Sequence, residues 1–417
     1  MSDRKLKIPQ GKKFLLPPNR ANGTIKGQLN TSADVQHKLK KFKLAPSELV
    51  PVDWRNIMRE YGLELSPPQN QEQCGNCWAF ASLCSLRDRW EFKLKKNGLD
   101  LTPLLGTQCA EQINNGCNGG HPENAIEYFA NYGVVQKSDL CPDFADLCKD
   151  IECTGRNFPS CDDLKMKCYK EGATIFRAKH PRKAENRGST LAATDPLTTI
   201  YNMKAELQDR NYGGPFPACF LVPWDFMVSG ANFRWEKTGG IFITGEYNKE
   251  LDSISGLGNS IKKPADANWT GISGAHCVEI VGHDKENVSG YGEVEYWIVK
   301  NTWGPEWNDK GYVKFAMNNK PDGKGYNSNL GLDIPIRDGS GWFGSGVVAE
   351  PDLDNFKGLT PEDEKNLHTT TDSVKSSSSS DHDMKLLYIF MIVVLVTVLV
   401  YLVVKQYKPE KSTPMSW

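Results

Sequence analysis

Net charge is almost absent from this chain: 50 lysines and arginines stand against 51 aspartates and glutamates, a balance of −1. Nucleic-acid binders show a basic face or stripe, so nucleic acid is not expected as a partner. Also missing is an early apolar run, since M-S-D-R-K-L-K-I-P-Q lacks the h-region of a secretory signal peptide. Metal-ligand spacing is missing too. Five cysteines fall between Cys141 and Cys168 at intervals of 7, 5, 8 and 7, without a C-x-x-C pair, and the only nearby histidine is His180. Such spacing argues against zinc and for a loop-rich insertion cross-linked by disulfides. No metal and no cofactor are expected.

What is present starts with size. A chain of 417 residues with 39% hydrophobic and 24% charged residues can bury a substantial core in two or three packing units. Twelve cysteines, ten of them from Cys74 to Cys168, exceed what a reduced cytosolic protein carries. The cysteines and the missing signal thus point to different compartments.

Residues 1–48 are basic and weakly patterned, with Lys38, Lys40, Lys41 and Lys43 close together, and read as an extended arm. The main domain is expected over 49–346. Its central stretch is Q-E-Q-C-G-N-C-W-A-F, Gln71 to Phe80, which leads into a helical pattern with Ala79, Leu83, Leu86 and Trp90 on one face. Lys93 to Lys96 form a basic last turn and Gly98 closes it. A thiol at a helix start meets unpaired N–H groups and the positive dipole end, which favour the thiolate. Three readings of Cys77 compete: a buried helix-start cysteine, half of a redox pair with Cys74, or a catalytic nucleophile.

Further on, G-C-N-G-G at 116–120 precedes H-P-E-N-A-I-E-Y-F-A-N-Y-G, a helix with Pro122 near its start and Gly133 past its end. A cysteine-rich insertion is placed at 141–196, with polar Ala178 to Asp195 as its extension. The helix-like T-I-Y-N-M-K-A-E-L-Q-D-R follows, and then the period turns towards strands. G-G-P-F-P-A-C-F-L-V, Gly240–Thr244, His276–Gly282, Val294–Lys300 and Tyr312–Met317 are the candidates. After Gly346 the chain reads as loose, and 347–384, with Ser376 to Ser380, as a flexible stalk. Leu386 to Val404 is nineteen residues without a charge. At ~1.5 Å per residue that run matches a ~30 Å hydrocarbon core. A single-pass membrane helix is therefore expected over 385–404, with a tail at 405–417.

C-G-N-C-W resembles the signature of the papain family of cysteine proteases, with Asn76 where the family has Ser or Ala, a change expected to be tolerated at the surface. L-V-P-V-D-W-R at 49–55 resembles the start of the mature domain. S-G-A-H-C-V-E-I-V-G-H at 273–283 and K-N-T-W-G at 300–304 resemble the segments bearing the family's histidine and asparagine. The resemblance implies an α+β, papain-like fold of two lobes, one helical and one β-barrel-like, with the site between them. It implies Cys77 as nucleophile, His276 as base, Asn301 as the residue orienting the imidazole, Trp303 as its apolar cover and Gln71 as oxyanion donor. His283 is the weaker histidine candidate and reads as a loop residue; Gln73 has the wrong spacing for the oxyanion role. Cys77 and His276 are 199 residues apart, against roughly 130–150 in the family, and the insertion supplies the excess.

The same resemblance pairs Cys74 with Cys117 and gives Cys109 a partner among the five insertion cysteines. Eight cysteines are then in bridges, leaving Cys84, Cys219 and Cys277 outside them, with Cys84 as helix core. It places Gly119 and Gly120 along the substrate backbone, and Cys219, Ala275 and Cys277 beside a small, apolar pocket for the second residue upstream of the cut. G-G-P-F-P-A-C-F and G-C-N-G-G-H-P resemble the cathepsin B branch more than others, but the sequence has no His-His pair, which implies endopeptidase rather than carboxydipeptidase action on protein or peptide substrates. Lys405, Lys408 and Lys411 favour a cytosolic tail, while a tail anchor inserted after synthesis would leave the protease cytosolic. A membrane-anchored member without signal or long pro-segment also resembles enzymes of large DNA viruses, with a host or virion membrane as its place. The alternatives are an inactive papain-like binding protein and a membrane-tethered thiol–disulfide exchanger using Cys74 and Cys77.

Overall fold

A computed structural model describes residues 46–140 (without 73, 104–105 and 108–115), 172–184, 196–227, 235–245, 249, 251, 272–317, 343–344, 346–352 and 356. The cysteines from Cys141 to Cys168, Cys109, Gln73 and the candidate membrane span lie outside the described residues. No helix among the described residues is long and apolar enough to cross a membrane.

In chain order the elements are β1 (Val52–Asp53), α1 (Trp54–Glu60), α2 (Cys77–Leu94), α3 (Pro122–Asn131), β2 (Ala178–Lys183), α4 (Pro196–Gln208), β3 (Phe216–Pro223), β4 (Ile241–Phe242), β5 (Ile272–Val288), β6 (Gly292–Lys300), β7 (Tyr312–Ala316), β8 (Phe343–Gly344) and β9 (Val347–Pro351). The larger sheet runs β4-β7-β6-β5-β3-β8, with β1 added to β5, and β2 pairs with β9 in a separate ribbon. Helices thus dominate the first part and strands the second.

The eighteen residues of α2 contain no Gly or Pro, which lets the helix run to Leu94. Lys95 ends it in the left-handed region at φ 53°, its N–H returning to the carbonyls of Glu91 and Phe92. The stop comes three residues before Gly98, whose N–H, like that of Leu99, is bound by the Glu91 carboxylate. Ala79, Leu83, Leu86 and Trp90 are buried as their spacing predicts, but Ser82, Ser85, Asp88 and Arg89 on the other faces are buried as well. The helix is enclosed by protein rather than half-exposed.

β5 positions the site. Residues 272–280 pair with β3, residues 279–288 pair with β6, and 282–283 pair with β1. The strand therefore changes partners near Glu279, with irregular register on the way. The sheet's core holds a cluster of aromatics in edge-on, tilted and stacked contact, Phe226, Trp235, Phe242, Trp307 and Phe315.

Three boundaries differ from the sequence reading. Ala178–Lys183, assigned to the polar extension of the insertion, is strand β2, because buried Arg182 is paired with Glu350 of β9 at 3.0 Å and Glu206 of α4 at 2.9 Å. Val347–Pro351, assigned to the stalk, is β9, all five residues being buried. His283, read as a loop residue, sits buried on β5 opposite Val52 and Trp297.

Candidate active site

The turn before α2 is held from several directions. Cys74 is bridged to Cys117, and the Gly75 N–H donates to the Cys117 carbonyl at 2.8 Å. Cys74 is thus covalently paired away from Cys77, which removes the redox pair that the exchanger reading needs. The Trp78 indole donates to the Gly116 carbonyl at 3.4 Å. Gly119, at φ 121°, and Gly120 are buried in the same segment. Asn76 caps the helix without a side-chain bond to it; instead its amide donates to Thr107 Oγ1 at 3.0 Å. It is buried and not the surface position expected, because Thr107 provides its partner.

Cys77 opens α2, fully buried, and its Sγ accepts from the backbone N–H of Cys277 at 3.4 Å. His276, the preceding residue of β5, is also buried. Its Nε2 lies 2.8 Å from Oδ1 of Asn301, and that same Oδ1 accepts from the Thr302 N–H at 2.8 Å. An atom receiving a backbone N–H is an oxygen, so the amide's orientation follows, and Nε2 must be the protonated ring nitrogen. Trp303 stacks on the imidazole at 4.9 Å and 26°, and Phe220 meets it edge-on at 5.9 Å. Asn301 directly follows β6, its N–H bound to the Gly311 carbonyl at 2.9 Å.

Gln71 is buried on the same side. Its N–H donates to the Thr302 carbonyl at 2.8 Å, its Nε2 donates to the Cys74 carbonyl at 2.8 Å, and its Oε1 accepts from the Thr302 hydroxyl. With Oε1 engaged, Nε2 retains a second N–H. Sequence spacing alone does not reveal that Thr302 binds the glutamine across from it.

Cys219 and Cys277, expected to be left outside any bridge, form a disulfide. Antiparallel β3 and β5 place them directly opposite each other, Cα to Cα 4.0 Å. The wall expected of two thiols is therefore one cystine, with Ala275 two residues along β5 and nearly buried. Cys84 is a buried helix-core thiol, and burial pushes its pKa up to about 12.

Behind the site, Lys300 Nζ reaches Asp88 of α2 at 2.6 Å, Glu279 of β5 at 2.7 Å, and the hydroxyl and carbonyl of Ser66 at 2.9 and 3.1 Å. Burial works against the lysine charge, but the two carboxylates outweigh it and hold its pKa well above the ordinary value. Burial also lifts the Glu279 carboxyl well above the usual range, despite Lys300. Among the described residues no cluster of His, Cys, Asp or Glu could hold a metal ion.

The family model for the papain family cysteine proteases matches residues 50–213 and 259–329. The chain belongs to the papain family. It is 27% identical over 270 residues to the probable cysteine proteinase 224L of Invertebrate iridescent virus 6, covering 61% of this chain and 56% of that protein. This papain-family chain thus spans little more than half that relative's length. It is 23% identical over 307 residues to cathepsin B-like CP2 of Giardia intestinalis, covering 71% and 81% of the two chains. Among solved structures, procathepsin B S9 from Trypanosoma congolense aligns at TM-score 0.44 with 18% identity, over 75% of this chain and 82% of that one.

Proposed function

We propose that the protein is a membrane-tethered cysteine endopeptidase in which Cys77 is the nucleophile. The observation that carries this reading is the bond from His276 Nε2 to Asn301 Oδ1. A protonated Nε2 makes Nδ1 the basic nitrogen, and Nδ1 takes the thiol proton. The sulfur then holds its charge at a helix start, where N–H groups and the dipole favour an anion. It attacks the carbonyl of a protein or peptide substrate. The oxyanion is received by the second N–H of Gln71 Nε2 and the Cys77 N–H, a donor of this kind being worth roughly 3–4 kcal/mol. The imidazolium protonates the leaving amine, and water then releases the acyl group from the sulfur. Trp303 shields the His276–Asn301 bond, and Gly119 and Gly120 offer backbone groups to an extended substrate. The absence of a His-His pair from the sequence supports internal cleavage. The apolar run from Leu386 to Val404 supports the tether.

An irreversible thiol-protease inhibitor applied to the full chain in fractionated membranes tests both halves. Labelling is expected at Cys77 alone, since Cys84 is held as the thiol. It should vanish in Cys77→Ser and weaken in His276→Ala, while a chain ending at residue 384 should leave the membrane pellet. Equal labelling in His276→Ala would sink the catalytic assignment, and a truncated chain still in the pellet would sink the anchor.

A further inference from the structure

Among the described residues, the edge of β5 that faces Cys77 has no strand beside it at that level. β6 joins β5 only from Glu279 onward, so residues 272–278 are laddered on one side, by β3. In an antiparallel pair each N–H either faces the partner strand or turns away from it. That of Cys277 turns away, and it donates to Cys77 Sγ at 3.4 Å. A backbone donor to the sulfur thus sits on a strand segment that, among the described residues, is laddered from a single side. At that very residue the segment is tied covalently to β3, through Cys219. β3 in turn is backed by β8 at the same level, Cys219 opposite Gly344 and Phe220 opposite Phe343.

We propose that the Cys219–Cys277 bridge is a positioning device for the nucleophile: it pins β5 at the residue whose N–H stabilises the Cys77 thiolate. This rests on Cys77 being the nucleophile. A hydrogen bond to a charged atom favours the charged form, and its strength falls steeply with misalignment. Displacing the segment weakens the donor and, in the same movement, shifts His276 one residue before it. The bridge acts through the backbone and touches no substrate in this role.

The test compares wild type with Cys219→Ala/Cys277→Ala and with Cys219→Val/Cys277→Ala, the second refilling part of the lost volume. Alkylation of Cys77 by iodoacetamide is followed against pH, identified by peptide mapping, alongside kcat/KM on a peptide substrate and thermal unfolding. Expected is an acid limb moved upward by roughly half a pH unit or more, because the thiolate loses a donor. A fall in kcat/KM of about tenfold should accompany it. A lowered unfolding temperature with an unmoved pH profile would make the bridge a staple only and overturn the proposal. Failure of both variants to fold would overturn it in the same sense. Should Cys77 go unlabelled in the wild type, the underlying assignment of the nucleophile fails instead, and the two failures are thereby told apart.

Discussion

The Thr302 hydroxyl is bonded to Oε1 of Gln71, and the Thr302 carbonyl accepts the Gln71 N–H. One residue therefore fixes both ends of the proposed oxyanion donor. Without the hydroxyl, Gln71 could turn its amide, and Nε2 would no longer be held on the Cys74 carbonyl. Thr302→Val keeps the shape and removes the donor, and it should lower kcat with little change in KM. Gln71→Ala should cost more, roughly 10²–10³ in kcat. In the double variant the valine should add almost nothing, because its effect runs through the glutamine. Additive losses in steady-state kinetics would mean that Thr302 acts elsewhere. Serine in its place should be nearly silent.

Strand β5 shows what was legible in the sequence and what was not. Its core, His276 to Gly282, stands out because the apolar residues and the motif agree, and K-N-T-W-G follows at a telling distance. The strand nevertheless extends from Ile272 to Val288, through D-K-E-N, where polar residues hid it. Those residues pair with the equally polar start of β6, so the ladder rather than a buried face sustains them. β2 and β9 were hidden for another reason: their partners are each other, more than 160 residues apart. The Cys219–Cys277 bridge likewise follows from register between distant strands, which no spacing encodes. His283, one residue past the strand expected over His276–Gly282, reads from sequence as a loop residue. Burial, with Lys204 adding to it and Glu295 opposing, lowers its pKa from 6.5 to about 3. A lowered histidine pKa means that the unfolded chain binds the proton more tightly between pH 3 and 6.5. Stability from this group is thus present above about pH 6.5 and lost as pH falls towards 3. At pH 4.5 the loss is about 2–3 kcal/mol. Urea unfolding at pH 7 and pH 4.5 should therefore show a smaller drop for His283→Gln than for wild type by that amount. Equal drops would show that the ring is protonated in the folded chain.

At the scale of the whole molecule, buried Lys300 is a cation over which the helical and sheet-bearing parts meet. Lys300 closes β6, Asp88 lies on the Cys77 helix, Glu279 lies three residues after His276, and Ser66 lies between α1 and α2. The Cys77 helix and the His276 strand are thus bound to the residue preceding Asn301. Two carboxyls around one lysine leave an excess negative charge unless one takes a proton. Burial raises the Glu279 carboxyl well above the usual range, so Glu279 is the carboxyl expected to take it. Glu279→Gln copies the neutral acid and should cost little stability, below about 1 kcal/mol. Lys300→Met instead strands Asp88 as a buried carboxylate, a loss on the order of 3–5 kcal/mol. The comparison is made by urea unfolding at neutral pH, with inhibitor labelling of Cys77 on the same samples. If Lys300 couples the two parts around the site, Lys300→Met should also slow labelling even where the chain is still folded. If Glu279→Gln proves as damaging as Lys300→Met, both carboxyls are charged in the fold, and the cluster holds the parts together as a full ion triad rather than a pair with a neutral acid.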